Sequence, residues 1–233
     1  MRSIRVLIVL LFCSNSFVAG AMSGEQLFDS LRKKVMLVKD YTAEVKMKID
    51  VSYMRIPMLG GTLYFKSPDK LKLVRHGGLA IMLKKNINLT LSNMIPAGKV
   101  TVLDAGTATI GGKMVRILKI IPEDDQGQII LAKIWVDERT MLAVRTETTT
   151  RNDGTIKMDL QYGKYAAFAL PDKVIIDVDV KDFKLPKGVT MDYNEVKETQ
   201  PKKETKNQKG SIQINYLSYN INKGIDDNTF LNK

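Results

Sequence analysis

The feature that most constrains the fold is a strict alternation of apolar and polar residues from Tyr41 to Tyr53. Every odd position is apolar and every even position is polar, so the pattern predicts a strand with one buried and one solvated face, as in an antiparallel sheet. At about 3.3 Å per residue the segment would reach roughly 40 Å, whereas strands are usually about 5–6 residues long. A strand of this length must twist and coil to stay packed, so a strongly curved sheet is expected.

Further strand patterns, separated by turn residues, continue towards the carboxyl end of the chain. Short alternations bounded by Gly, Pro, Asn or Asp are typical of strands joined by hairpins. In the last strand the apolar residues occupy even positions up to Tyr216 and change to odd positions at Leu217. This change in the alternation predicts a β-bulge. The remaining strands are expected at 62–66, 70–74, 107–110, 114–121, 133–137, 141–150, 156–162, 174–180 and 212–216.

One amphipathic helix is expected at 24 to about 39. Ser23 and Gln26 have the spacing of a capping box. Apolar residues then recur at helical spacing, at Leu27, Phe28, Leu31, Val35 and Val38. Together these patterns predict a mainly β (α+β) fold with a single core. Residues 77–100 are compatible with strands, a short helix or a lid, and their periodicity does not decide among these.

The amino-terminal segment has the layout of a secretory signal peptide. Arg2 and Arg5 precede an apolar run at 6–12, and the small residues at 19–21 form an A-x-A cleavage site. The run is much shorter than the roughly 20 residues of a membrane-spanning helix. We therefore expect a signal peptide at 1–21, cleavage after Ala21, and an exported soluble domain at 22–233. A second interpretation is a lipoprotein acylated at Cys13.

Charge and composition exclude several classes of function. The net charge is +11, and removal of the segment that carries Arg2 and Arg5 would lower it to +9. Export argues against nucleic acid as the partner of this charge. The mature chain would keep one histidine, His76, and no cysteine, so Cys/His zinc sites cannot be built. No G-x-S-x-G motif is present. We therefore expect neither an enzyme nor a cofactor or metal site.

Three motifs that could carry chemistry are better explained by local structure. Residues 106–113 are similar to a phosphate loop, but Met114 stands where Ser or Thr would bind magnesium; the pair Gly111-Gly112 favours a hairpin turn. The carboxylate clusters at 123–125 and 226–227 lie among turn residues, and we expect turn or helix-cap roles. Residues 197–209 contain no apolar residue, which predicts a solvated, mobile lysine-rich loop.

The apolar residues suggest a different kind of site. Eleven of the twelve methionines lie after the signal peptide, and Met47 and Met158 lie in predicted strands. Methionine is flexible and polarizable, and it is common where a surface adapts to varied apolar ligands, although ordinary core filling is the alternative. A curved sheet encloses a lumen that one helix need not fill, which predicts an apolar cavity.

Several segments resemble the LolA family of periplasmic lipoprotein carriers. The segment 61–71 resembles the family's G-x-L-x-x-x-x-P motif, and 135–137 with the turn at 152–154 resembles its central hairpins. The segment 183–190 looks like its F-x-x-P-x-G-V-T ending. The segment 216–224 is similar to the extra terminal strand of outer-membrane lipoprotein-sorting relatives.

The resemblance implies an unclosed β-barrel whose mouth is covered by helices. It also implies a periplasmic protein that shields acyl chains of lipoproteins or other lipids, without nucleotide, between an inner-membrane donor and an outer-membrane acceptor. Well-studied carriers have an arginine before the proline that helps to latch the lid, and Ser67 stands at that position here. A latched-lid mechanism is therefore not implied for this chain.

Combining the strand pattern with the resemblance gives a residue-level prediction for a monomeric carrier. We expect the acyl chain to be lined by Val45, Met47, Ile49, Val51, Leu63, Phe65, Leu71 and Leu73. We expect a basic rim for lipid headgroups or an acidic partner, formed by Lys46, Lys48, Lys66, Lys70 and Lys72. An alternative function is an envelope sensor or adaptor that binds another periplasmic or membrane protein.

Overall fold

The computed structural model describes residues 22–51, 54–55, 57–76, 80–82, 95–96, 98–124, 126–151, 154–179 and 209–231. Within these residues the chain forms one α-helix and twelve strands. The elements are α1 (Gly24–Val35), β1 (Asp40–Val51), β2 (Met54–Arg55), β3 (Leu59–Lys66), β4 (Lys70–Arg75), β5 (Ala80–Met82), β6 (Val100–Ile110), β7 (Lys113–Pro122), β8 (Ile129–Asp137), β9 (Leu142–Thr150), β10 (Gly154–Gln161), β11 (Lys173–Asp179) and β12 (Lys209–Ile221).

The strands form a single antiparallel sheet that does not close. Their order is β5-β4-β3-β1-β12-β11-β10-β9-β8-β7-β6, with β2 paired on β1. The last strand, β12, inserts between β1 and β11, so the two ends of the fold are joined at the centre of the sheet. The predicted fold class, a mainly β unclosed barrel with an amino-terminal helix, is confirmed.

Helix α1 begins as its sequence predicts. The Oγ of Ser23 accepts a hydrogen bond from the backbone N–H of Gln26 at 3.2 Å, and the Gln26 side chain accepts one from the Ser23 N–H at 3.0 Å. The helix ends at Val35, earlier than predicted. Met36 and Leu37 are exposed, and a turn places Val38 in the core just before β1. Val38 is therefore buried because of the turn that follows α1, and not because the helix continues to this residue.

Strand β1 confirms the alternation that dominates the sequence. Its odd residues from Tyr41 to Ile49 are buried, and the intervening residues point to the opposite face. The predicted bulge in β12 is also present. Glu44 pairs with Ser218 and Val45 with Tyr216, so Leu217 has no partner in β1 and is 58% exposed.

The glycine hairpin is confirmed, but β6 is longer than predicted. Gly111 and Gly112 both have positive φ, the conformation that a tight hairpin turn requires. Strand β6 begins at Val100 because a bulge between Asp104 and Thr107 interrupts the alternation without ending the strand. The Asp104 side chain accepts a hydrogen bond from Gly106 N–H at 3.0 Å, which stabilises that bulge.

Several predictions lie outside the described residues. They concern the signal peptide at 1–21, most of the ambiguous segment 77–100, the family-like segment 183–190 and the lysine-rich loop at 197–208. Among the residues that are described, none forms a helix with the length and apolar character needed to cross a membrane.

Candidate functional site

The inner face of the sheet, defined as the face that packs on α1, is a largely apolar surface. One row of directly paired residues crosses seven strands from β7 to β1, and all its members are buried. Leu27, Phe28 and Leu31 of α1 belong to the same cluster of buried side chains. The row consists of Leu118, Ile134, Thr146, Met158, Ile176, Ile212 and Ile49.

Seven of the eight predicted lining residues lie together on this inner face. Leu63 of β3 pairs with Ala43 of β1 on one side and with Leu73 of β4 on the other. Two residues further along β3, Phe65 pairs with Leu71 of β4. All seven are buried members of the cluster that includes α1: Val45, Met47, Ile49, Leu63, Phe65, Leu71 and Leu73. Val51 belongs to β1, but its side chain is outside the described part. Contact of these residues with a ligand remains a prediction.

The five predicted rim lysines lie on the outer face, opposite the lining residues. Lys46 and Lys48 are exposed, and Lys48 lies 3.9 Å from Asp50. The other three contact residues 222–231, which we call the C-terminal strap. Lys66 Nζ donates to Asp227 at 2.7 Å, Lys70 Nζ lies 2.9 Å from the same carboxylate, and Lys72 Nζ donates to Thr229 O at 2.6 Å.

The strap also joins the beginning of β1. The Oδ1 of Asp40 accepts hydrogen bonds from the backbone N–H groups of Lys223 and Gly224, both at 3.0 Å. Asp226 caps the short 3₁₀ turn that follows, since its side chain accepts from Asn228 N–H at 2.7 Å. Asp226 thus has the predicted cap role. Lysine contacts hold the pKa of Asp227 below its usual value.

A cluster of aromatic side chains lies where β1, β3 and β12 meet on the inner face. The rings of Tyr41 and Phe65 stack at 5.0 Å between centroids, and Tyr219 contacts Tyr41, Tyr216 and Tyr165 at 4.9–5.2 Å. Tyr219 donates its hydroxyl to Pro171 O at 2.7 Å. Burial raises the pKa of the Tyr41, Tyr216 and Tyr219 phenols above the usual tyrosine value.

Three threonines of β9 are the polar exception on the inner face. Thr146, Thr148 and Thr150 are exposed by 0%, 0% and 5%. Thr146 faces Ile134 on one side and Met158 on the other, and both are buried apolar residues. The amino-acid sequence does not distinguish these threonines, because threonine is equally common on solvated strand faces. Their spacing at alternate positions, T-E-T-T-T, is the only local signal.

Charged groups cluster near the amino end of α1 rather than on the inner face. Arg116 donates to Asp104 at 2.6 and 2.8 Å, to Glu138 at 2.6 Å and to the carbonyl of Met22. These contacts raise the pKa of Arg116 and lower that of Asp104.

His76, the only histidine of the chain, lies 3.1 Å from the Glu44 carboxylate. Among the described residues, no group of three or more His, Cys, Asp or Glu side chains is placed to hold a metal ion.

The geometry therefore defines a class of protein: an unclosed antiparallel half-barrel with an apolar inner face and one amphipathic helix packed on it. No family model matches the chain, and no curated protein matches it in sequence.

Solved structures resemble it over nearly its whole length. A domain from Vibrio parahaemolyticus described as an outer membrane lipoprotein-sorting protein has a TM-score of 0.53 at 10% identity, covering 89% of this chain and 97% of its own. A DUF1329 family protein from Desulfovibrio piger has a TM-score of 0.54 at 11% identity, covering 89% and 97%. A LolA superfamily protein from Nitrosomonas europaea has a TM-score of 0.52 at 10% identity, covering 91% and 99%. The chain thus has a LolA-like fold.

Proposed function

We propose that this chain is a periplasmic carrier that binds the acyl chains of lipids or lipoproteins and shuttles them towards the outer membrane. The observation that carries the proposal is the inner face, where buried apolar residues follow one another across an unclosed sheet of LolA-like fold. In this proposal an inner-membrane donor loads the carrier and an outer-membrane acceptor unloads it. The protein catalyses no reaction and needs no cofactor.

The energetics of such a surface suit reversible binding. Burial of apolar area contributes about 25 cal/mol per Å², so one extended acyl chain would gain several kcal/mol. After the cost of association, this is enough for roughly micromolar or tighter affinity. Met47 and Met158 lie on the inner face, and flexible methionine side chains adapt to chains of different length and unsaturation.

The ligand must compete with α1 for this face. The helix buries Leu27, Phe28 and Leu31 against the sheet. Its polar ties to the rest of the fold include Arg32 Nη1 to Gly98 O at 3.0 Å and Lys34 Nζ to Thr140 O at 2.7 Å. Exposed hydrogen bonds of this kind contribute little net stability. We therefore place acyl-chain binding in the space that α1 vacates when it moves away from the sheet.

The proposal is tested by measuring lipid uptake of two matched variants. Met47 is 6% exposed on the inner face, whereas Met114 of β7 is 76% exposed. Met47→Lys introduces a charge beneath the ligand, and burying that charge is costly. We expect Met47→Lys to reduce binding of phospholipid and diacylated lipopeptide at least tenfold, and Met114→Lys to leave it unchanged, in titrations with a fluorescent acyl probe.

Circular dichroism shows whether each variant is folded. A folded Met47→Lys protein that binds with full affinity would contradict the assignment of the inner face. If wild-type protein takes up neither lipid nor lipopeptide but retains a stable protein partner from envelope extract, the sensor or adaptor function replaces the carrier function.

A further inference from the structure

The inner face is not uniformly apolar, because three alternate residues of β9 present hydroxyl groups to it. Thr146, Thr148 and Thr150 all carry buried side chains. Residues two apart on a strand point to the same face, about 6.6 Å from one another. The three threonines therefore form a hydroxyl stripe that runs along β9, across the rows of paired residues.

The neighbours of the stripe are apolar. Thr146 is flanked by Ile134 and Met158, and Thr148 is flanked by Ala132 and Ile156. Valine has nearly the same shape as threonine and favours strands as strongly. Packing alone would therefore be satisfied by valine at position 146, so a hydroxyl group there that forms no hydrogen bond calls for a separate explanation.

The hydroxyl at one end of the stripe, that of Thr146, lacks an internal partner. Among the described residues, the Oγ1 of Thr146 is buried without a hydrogen bond. The Oγ1 of Thr150 reaches Gly154 O at 3.4 Å. A buried hydroxyl that makes no hydrogen bond lowers stability, because it has lost its contacts with water. A ligand that supplies an acceptor atom at Thr146 would remove this penalty when it binds.

We infer that the hydroxyl stripe, through Thr146, binds an ester carbonyl oxygen at the root of an acyl chain. This inference rests on the proposed carrier function. An ester carbonyl is a neutral acceptor, and Thr146 can donate to it. Among the side chains that the structure describes, no lysine or arginine is buried. A buried phosphate or free carboxylate would require a cation or several donors. The site therefore fits an uncharged ester better than an anionic headgroup.

The test compares ester and ether forms of one lipid. Dioctanoylglycerol carries ester carbonyls, and di-O-octylglycerol has the same chain length without them. Both are titrated by displacement of a fluorescent alkyl probe that has no ester. One neutral hydrogen bond corresponds to about a three- to tenfold difference in affinity. We expect wild-type protein to favour the ester by this factor and Thr146→Val to remove the preference while binding the ether unchanged.

A matched control lies on the same strand with its side chain on the other face. Thr149 Oγ1 lies 2.9 Å from Thr155 Oγ1 on the outer face, so Thr149→Val deletes a hydroxyl without altering the inner face. It should retain the ester preference. Thermal unfolding is the second readout: Thr146→Val should melt at or above the wild-type temperature. A marked decrease would show that the hydroxyl has a structural role and would overturn the inference.

The remaining outcomes separate this inference from the proposed function. If wild-type protein binds both lipids equally, or if Thr146→Val keeps the ester preference, the stripe does not bind esters, although the carrier function stands. If wild-type protein binds neither lipid, the carrier function and the inference fail together. To identify the source of the ester, affinities are measured for phosphatidylglycerol and for a diacylglyceryl-cysteine peptide. The ligand that Thr146→Val binds more weakly than the wild-type protein does represents the natural ligand class, phospholipid or lipoprotein.

Discussion

Gly61 shows how one residue limits what the sheet can accommodate. It lies in β3 between Val45 of β1 and Arg75 of β4. A Cβ atom at this position would lie 2.5 Å from the backbone oxygen of Val74, which cannot move without disturbing the ladder. The glycine is the first residue of the G-x-L-x-x-x-x-P segment, so the likeness to carriers includes a steric requirement of the sheet.

We predict that Gly61→Ala destabilises the protein by about 1–3 kcal/mol, the usual effect of overpacking in a buried site. The neighbouring Gly60 is the control, because a Cβ there would meet only the His76 side chain, at 3.3 Å, and this exposed ring can move. Urea unfolding measures both variants. Equal midpoints for Gly61→Ala and Gly60→Ala would show that the backbone of β4 yields and that the steric account is wrong.

At the scale of elements, the account depends on the movement of α1 away from the sheet. A Cβ built on Gly24 lies 3.7 Å from the Cβ of Asp104 on β6, within the range of about 3.5–4.5 Å found in disulfides. We predict that Gly24→Cys/Asp104→Cys forms a disulfide that tethers the helix. Lipid uptake should fall at least tenfold in the oxidised protein and recover on reduction.

The single variant Asp104→Cys is the control for this experiment. It loses the Asp104–Arg116 ion pair, as the double variant does, but it cannot form the disulfide. It should take up lipid whether oxidised or reduced. Equal uptake by the oxidised and reduced double variant would mean that the ligand binds without displacement of the amino end of α1.

The elements predicted from the sequence are those whose pattern is local. The alternation of β1 and the capping box of α1 each depend on neighbours within a few residues, and both are confirmed. The sequence pattern places the start of β6 too late, because the bulge at Asp104 interrupts the alternation of that strand. The strap contacts of Lys66, Lys70 and Lys72 could not be predicted, since their partners lie more than 150 residues away in the chain.

The inner face was likewise only partly predictable. Alternation assigns the apolar residues of β1, β3 and β4 to one face, and seven of the eight predicted lining residues lie there together. The same rule assigns polar residues to the solvated face, so it misplaces Thr146, Thr148 and Thr150. Their inward orientation depends on the register with β8 and β10, which local spacing does not determine.

For the molecule as a whole, the insertion of β12 beside β1 determines the architecture of the sheet. The first and last described strands, β1 and β12, lie side by side within the sheet, and among the described strands β5 and β6 form its two edges. This arrangement is suited to a protein that must bind and release long apolar ligands of varied shape.

The central claim is that the exported protein carries acyl chains, and native mass spectrometry tests it most directly. The full-length chain, including residues 1–21, is expressed in a bacterial host and purified from the envelope fraction without detergent. We predict an additional bound mass that is lost on solvent extraction and fragments as a diacyl lipid or an acylated peptide. A protein that is recovered only in the unbound form, and that stays unbound after incubation with phospholipid and diacylated lipopeptide, would contradict the account.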